Sequence, residues 1–167
     1  RNIPGQDKSF IEFLDELKEN ALKAYENQDY QFETLVEKLN IKRDTSRNPL
    51  FDVMFSHQEI DNSEIGIVDF ILKQYPVKNI TSKFDITLTA IEGKNSFKFI
   101  FEYCTKLFKR ETIERLSNHF KNIIEAVTNN PEIKLSEIDM LSKQEKHQLL
   151  YEFNDTKVDY PKNRTVI

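Results

Sequence analysis

Apolar residues in this chain change their spacing twice, and the two changes restrict what it can fold into. From Phe10 onward they recur every three or four positions (Phe10, Phe13, Leu14, Leu17, Ala21, Tyr25), which is the stripe of an amphipathic helix. Between Phe51 and Tyr103 they alternate, as half-buried strands require. From about Arg110 the helical spacing returns, with Ile113, Leu116, Phe120, Ile123, Ile124 and Val127 on a stripe that stops at Asn129-Asn130-Pro131. A helical opening, a strand-patterned middle and a helical close predict a layered α+β fold.

Local signals set the expected boundaries. Ser9-Phe10-Ile11-Glu12 has the spacing of a capping box, so a helix is expected over residues 9 to 26. A shorter stripe, Phe32, Leu35, Val36 and Leu39, follows the polar break Asn27-Gln28-Asp29 and ends at Asn40. Pro49 disfavours helix at Asn48, and Phe51, Val53, Phe55 and His57 then alternate with Asp52, Met54 and Ser56, predicting a strand with one apolar face. Further strands are expected at Ile67 to Tyr75, Phe84 to Ile91 and Phe97 to Tyr103. The last two flank Glu92-Gly93-Lys94-Asn95-Ser96, a connection that favours a hairpin. Phe84, Ile86, Leu88 and Ala90 share one parity and Phe97, Phe99, Phe101 and Tyr103 another, so these faces should bury one side of an antiparallel pair. Ser142-Lys143-Gln144-Glu145 is a second capping box, before Leu149, Leu150 and Phe153 and a helix end near Asn154-Asp155.

Composition removes several classes of function. The formal net charge of -4 is spread along 167 residues without a basic block, so no nucleic-acid footprint is visible. No apolar run reaches the roughly 18 to 20 residues of a membrane span, and the start lacks the apolar stretch of a signal peptide. Cys104 is the only cysteine, which excludes an intramolecular disulfide and fits a reducing compartment. The chain therefore reads as cytoplasmic. It does not begin with Met and it stops in the β-prone run Asn163 to Ile167, so both ends read as cut from something longer.

Chemistry-bearing residues are few. His57, His119 and His147 include no two at helical metal-ligand spacing, so no metal site is expected. His57 shares the parity of Phe51, Val53 and Phe55 and is weighed as a base facing a cleft, but a partly buried strand histidine with one hydrogen bond is the better reading. His119 sits beside the apolar stripe of the long helix and reads as a packing residue; His147 reads as a solvated one. Cys104 as a nucleophile needs a basic partner that Glu102-Tyr103-Cys104-Thr105-Lys106 does not guarantee, so a buried, inert thiol is the better reading, and with only three Gly no phosphate-cradling loop can be written.

Two polar clusters remain. Asn27-Gln28-Asp29-Tyr30-Gln31-Phe32-Glu33 joins the opening helices, and Arg43-Asp44-Thr45-Ser46-Arg47-Asn48-Pro49-Leu50 leads into the first strand. Both are rich in side chains that bond nearby backbone groups. Asp29 is placed to cap the second helix with Phe32 reaching into the core, and Arg43, Asp44 and Arg47 alternate in sign as a charge network would.

Those clusters resemble two signature blocks of the condensation domains of nonribosomal peptide synthetases. Asn27-Gln28-Asp29-Tyr30-x-Phe32-Glu33 is similar to the family's His/Asn-Gln-Asp-Tyr/Val-Pro-Phe-Glu block, with Gln31 in place of the usual Pro. Arg43-Asp44-x-Ser46-Arg47-Asn48-Pro49-Leu50 is similar to its Arg-Asp-x-Ser-Arg-Asn-Pro-Leu block. Phe51-Asp52-Val53-Met54-Phe55, Lys83 to Leu88 and the helix around His119-Phe120 continue the likeness, and residues 136 to 167 resemble the stretch joining such a domain to an adenylation domain. Nothing here spells the family's His-His-x-x-x-Asp-Gly block, which lies in the N-terminal half. The resemblance implies the C-terminal half of a condensation domain over residues 1–135, followed over 136–167 by the linker and the start of the adenylation domain.

The fold so implied is a chloramphenicol-acetyltransferase-like half: a two-layer α/β sandwich whose mixed, mostly antiparallel sheet is covered by helices. The implied partners are the N-terminal half of the domain, donor and acceptor peptidyl carrier domains and the downstream adenylation domain. No cofactor is bound directly, since the phosphopantetheine arm comes with the carriers. No catalytic residue is assigned in this chain; its part is to shape the tunnel, position substrates and dock carriers. An epimerising or cyclising relative and a non-enzymatic carrier-docking module are the alternatives.

Overall fold

The structure is a computed structural model, and it describes residues 2–41, 44, 47–59 and 81–157. The helix α1 spans Phe10–Tyr25 and α2 spans Phe32–Lys38. Strand β1 follows at Val53–Glu59, β2 at Ile86–Glu92 and β3 at Phe97–Tyr103, then helix α3 at Arg110–Asn129. A 3-10 turn at Leu135–Glu137 precedes the short helix α4, Lys143–His147, which runs into a π-helical turn at Gln148–Glu152. The strand expected at Ile67 to Tyr75 lies outside the described residues.

Both capping boxes form as spaced. The Ser9 N–H donates to Glu12 Oε2 at 2.8 Å and the Glu12 N–H to Ser9 Oγ at 3.2 Å, so two free helix-start donors are satisfied reciprocally. Ser142 and Glu145 repeat the arrangement at 2.9 and 3.2 Å. Asn40 ends α2 in the left-handed region at φ 50, a conformation that Asn tolerates better than most residues.

The three strands form one mixed sheet in the order β1-β2-β3, β1 parallel to β2 and β2 antiparallel to β3. Asp85 and Ile86 both donate to the Asp52 carbonyl where β1 and β2 begin. At the hairpin the Gly93 N–H donates to the Ser96 carbonyl at 2.8 Å. A Cβ at Gly93 would stand 3.3 Å from that same oxygen, so the turn closes tightly because nothing is there.

The register places the expected parities on one face. Val53, Ile86 and Tyr103 lie side by side, then Phe55, Leu88 and Phe101, then His57, Ala90 and Phe99. The expectation that this face is buried holds only at the centre. Ala90 on the middle strand is 4% exposed, whereas Val53 is 62%, Phe55 63% and Phe97 57% exposed. A middle strand is shielded from both sides by its neighbours, and an edge strand has cover on one side only.

The chain divides into two compact units. One holds residues 17–117, with the sheet, and among the described residues its buried side chains are Ala90 and Ile113. The other holds residues 1–16 and 118–167, with Val127 buried. In this second unit the chain start is zipped to the segment after α3: Leu135 N–H donates to the Lys8 carbonyl and Phe10 N–H to the Ile133 carbonyl, each at 2.9 Å, around a bridge between Ser9 and Lys134.

Candidate functional site

The second polar cluster and the start of β2 meet at one end of the sheet. Asn48 Oδ1 accepts from the N–H groups of Leu50 at 3.0 Å and Phe51 at 3.2 Å, an Asx turn that lets Pro49 and Leu50 lead into β1. The turn aims Arg47 at the strand's first residues, where its Nε donates to Asp52 Oδ1 at 3.3 Å and its terminal nitrogen pairs with Asp52 Oδ2. That bond with Asp52, followed by the charge of Asp52, holds the Arg47 guanidinium above its ordinary pKa. Asp85 adds to the same field, and its carbonyl accepts from the Cys104 N–H at 3.0 Å at the end of β3. The rings of Phe51 and Phe84 meet at 5.2 Å behind the charges.

These residues enclose a cavity of about 100 Å³ lined by Arg47, Asn48, Asp52, Lys83, Asp85 and Cys104, among others. Next to it a groove of about 340 Å³ runs along Thr81, Ser82 and Glu102 to Lys106. The cavity is of a size for water molecules and the groove for one extended arm of substrate. Its chemistry is one of fixed charge. Arg47 is a permanent cation committed to a carboxylate, so the cluster can hold a chain or an anion in place.

Of the residues in the expected charge network, Arg47 reaches forward five residues to pair with Asp52, while its N–H meets the Asp44 carbonyl at 3.5 Å and the Asp44 charge adds to the field on its guanidinium. Arg43 and Ser46 lie outside the described residues. The first cluster is held by bonds of its own: Asn27 Nδ2 donates to the Lys23 carbonyl at 2.9 Å at the end of α1, and Lys38 stands 5.7 Å from the centre of the Tyr30 ring. Asp29 is not the cap of α2. The N-cap is Gln31, with extended φ and ψ and no side-chain cap bond, because Asp29 stands two positions too early. Phe32, expected in the core, is 40% exposed. Gln28, Asp29 and Glu33 are also exposed, Glu33 in the first turn of α2, where a carboxylate suits the helix dipole.

The histidines each have a neighbour. His57 lies 3.2 Å from Glu92 across the sheet face, and its side chain is 45% exposed rather than partly buried. His147 stacks near Tyr151 at 5.1 Å. His119, expected to pack, instead pairs through Nε2 with Glu145 Oε1 at 2.7 Å, a partner 26 residues away that helical spacing cannot supply. Among the described residues no three His, Cys, Asp or Glu side chains could hold a metal ion, and no helix is long and apolar enough to cross a membrane.

The family model described as Condensation domain matches residues 1–150. Gramicidin S synthase 2 of Brevibacillus brevis is 49% identical over 168 residues, covering 99% of this chain and 4% of that protein. Bacitracin synthase 3 of Bacillus licheniformis is also 49% identical, covering 99% of this chain and 3% of its own length. This chain thus spans a small fraction of the synthetases it matches. Among solved structures, the X-domain from teicoplanin biosynthesis superposes with a TM-score of 0.71 at 22% identity, over 84% of this chain and 33% of that one. A complex of that X-domain with OxyB gives 0.70 over 81% of this chain and 30% of that one. The chain belongs to the condensation-domain family of nonribosomal peptide synthetases and carries the C-terminal part of such a domain.

Proposed function

We propose that this chain forms one wall of the tunnel in which a carrier-bound amine attacks a carrier-bound thioester, and that the proton-transferring base is supplied by the other half of the domain. The supporting observation is the sheet face of the 17–117 unit, where Val53, Phe55 and Phe97 are more than half exposed on strands whose sequence is that of a buried surface. Such a face suits a wall that meets a second body. The groove from Thr81 to Lys106 is the place where a substrate arm would lie.

In this reading residues 1–135 are the domain's share and 136–167 the linker and start of the adenylation domain. The N-terminal half, the donor and acceptor carrier domains and the adenylation domain are the partners, the phosphopantetheine arm arrives on the carriers, and the compartment is the cytoplasm. The test mixes this chain with loaded donor and acceptor carriers and follows peptidyl transfer. Turnover should stay at background and appear when a polypeptide carrying the His-His-x-x-x-Asp-Gly half is added. Turnover by the chain alone overturns the proposal.

One observation favours a docking role: the X-domain that shares this fold has been solved in complex with OxyB. The same assay separates the two readings, because a docking module binds carriers and gains no turnover from the added half.

A further inference from the structure

We propose that Glu102 makes the groove beside β3 selective for the acceptor arm, by holding the ammonium of its aminoacyl group. The residue's place follows from the register. Glu102 pairs with Thr87 and Thr87 with Met54, so it belongs to the polar face of the sheet, opposite to the face that carries Phe101 and Tyr103. The chain turns directly after β3, where the N–H groups of Leu107 and Phe108 both donate to the Cys104 carbonyl at 3.0 Å. That turn brings Thr105 and Lys106 to the groove, which Thr81 and Ser82, just ahead of β2, also line. Hydroxyl residues thus surround one carboxylate and one ammonium.

The two charges are not equivalent. Lys106 is exposed, so water and salt screen it, whereas Glu102 is half-buried. Among the described residues Glu102 has no ion pair and no side-chain hydrogen bond, in contrast to Asp52 in the neighbouring cavity, whose carboxylate is taken by Arg47. A half-buried carboxylate without a partner gains from a cation that comes to it. The two arms of the reaction share their pantetheine and differ at the end. The acceptor ends in a free α-amine, mostly an ammonium at about pH 7, and a peptidyl donor presents an amide at the same atom. Glu102 therefore tells them apart by charge. The held form is the ammonium and the attacking form is the neutral amine, so the contact raises the occupancy of the acceptor and leaves the chemical step no faster. This selectivity rests on the reading of the groove as the place of a substrate arm.

Titration of the full 167-residue chain with two probes tests it, followed through the backbone amide NMR signals of Glu102 to Lys106. One probe is alanyl-pantetheine with an amide in place of the thioester, and the other is its N-acetyl derivative. At about pH 7 the amine probe should bind about two- to fivefold more tightly than the acetylated one, the range of a partly exposed ion pair. Glu102→Gln, which keeps the size and loses the charge, should bring the two affinities together; unchanged signals from β1 and β2 show that this variant is folded. Lys106→Met, which removes the other charge, should leave the preference in place. Equal affinities for the two probes at these signals, or a preference that survives Glu102→Gln, overturn the selectivity and leave the tunnel reading standing. If neither probe moves the signals, the selectivity and the placement of an arm in this groove fall together.

Discussion

The two units of this molecule are held together by different means. In residues 1–16 and 118–167 the fastenings are directional: two capping boxes, the chain-start zipper, the His119–Glu145 pair and the Asn122 amide on a carbonyl. Residues 17–117 rely on the ladder of a three-stranded sheet and leave much of its apolar face open. Polar fastening is complete in itself, because each donor consumes its acceptor. Apolar burial is complete only when something covers the surface, and both units leave apolar side chains open: Val53, Phe55 and Phe97 on the sheet, and Leu150, Tyr151 and Phe153 at the end of the connector.

If the sheet unit depends on burial, its largest single loss comes from Ile113, 6% exposed on the first turns of α3. Ile113→Ala removes buried methyl groups and leaves a cavity, and should cost about 3 kcal/mol. The check is the midpoint of urea unfolding, which should fall without change of slope. A loss below about 1 kcal/mol would mean that the site collapses freely and that the unit's core lies elsewhere.

The polar unit should break more gently and in a pH-dependent way. Ser142→Ala deletes the cap of α4 and should cost about 1 kcal/mol. In the intact chain the Ser142 backbone N–H, then the Ser142 hydroxyl, then His119 hold the Glu145 carboxyl at about 2, well below its ordinary 4.5. A depressed carboxyl stabilises the fold above its unfolded value and ceases to do so as protons bind the folded form. The contribution is therefore whole above about pH 4.5 and is lost as the pH falls through about 2. An acid titration of α4 helicity followed by NMR should show this loss, and Glu145→Gln should abolish the dependence on acid.

What could be read in advance follows the same division. The boxes at Ser9 and Ser142 were legible because every atom they need lies within four residues. The common face of the three strands was legible from alternation, which a register of period two preserves. Alternation says which face is apolar and is silent on what covers it, so the exposure of Phe55 and Phe97 was not foreseen. Likewise the spacing of α3 placed His119 beside an apolar stripe, while its partner arrives from a turn that only the tertiary fold brings near. At the sheet end, sign alternation marked Arg47 as part of a charge network, while its pairing with Asp52, five residues on past the Asx turn at Asn48, could not be read from sign alone.

A smaller effect is expected at that pair. Arg47 is more than half exposed, so water screens the attraction, and Arg47→Met should barely move the midpoint of urea unfolding. A clear fall of the midpoint would show that the guanidinium is holding the Asp52 and Asp85 end of the sheet together as a network.

The smallest effect on folding separates the two units best. Phe55 and Phe97 are 63% and 57% exposed on the open face, so replacing both with Ser removes little buried area, and the unfolding midpoint should move by no more than about 0.5 kcal/mol. The association of the chain should change far more. Apolar faces of this kind meet one another when no partner is present, so wild type should sediment as a concentration-dependent mixture and Phe55→Ser with Phe97→Ser should shift it toward monomer. A wild type that stays monomeric over a wide concentration range would mean that the open face is tolerated by water. If both chains associate equally, the contact lies on another surface; Leu149, Leu150, Tyr151 and Phe153, all exposed at the end of the connector, are where the next substitutions belong.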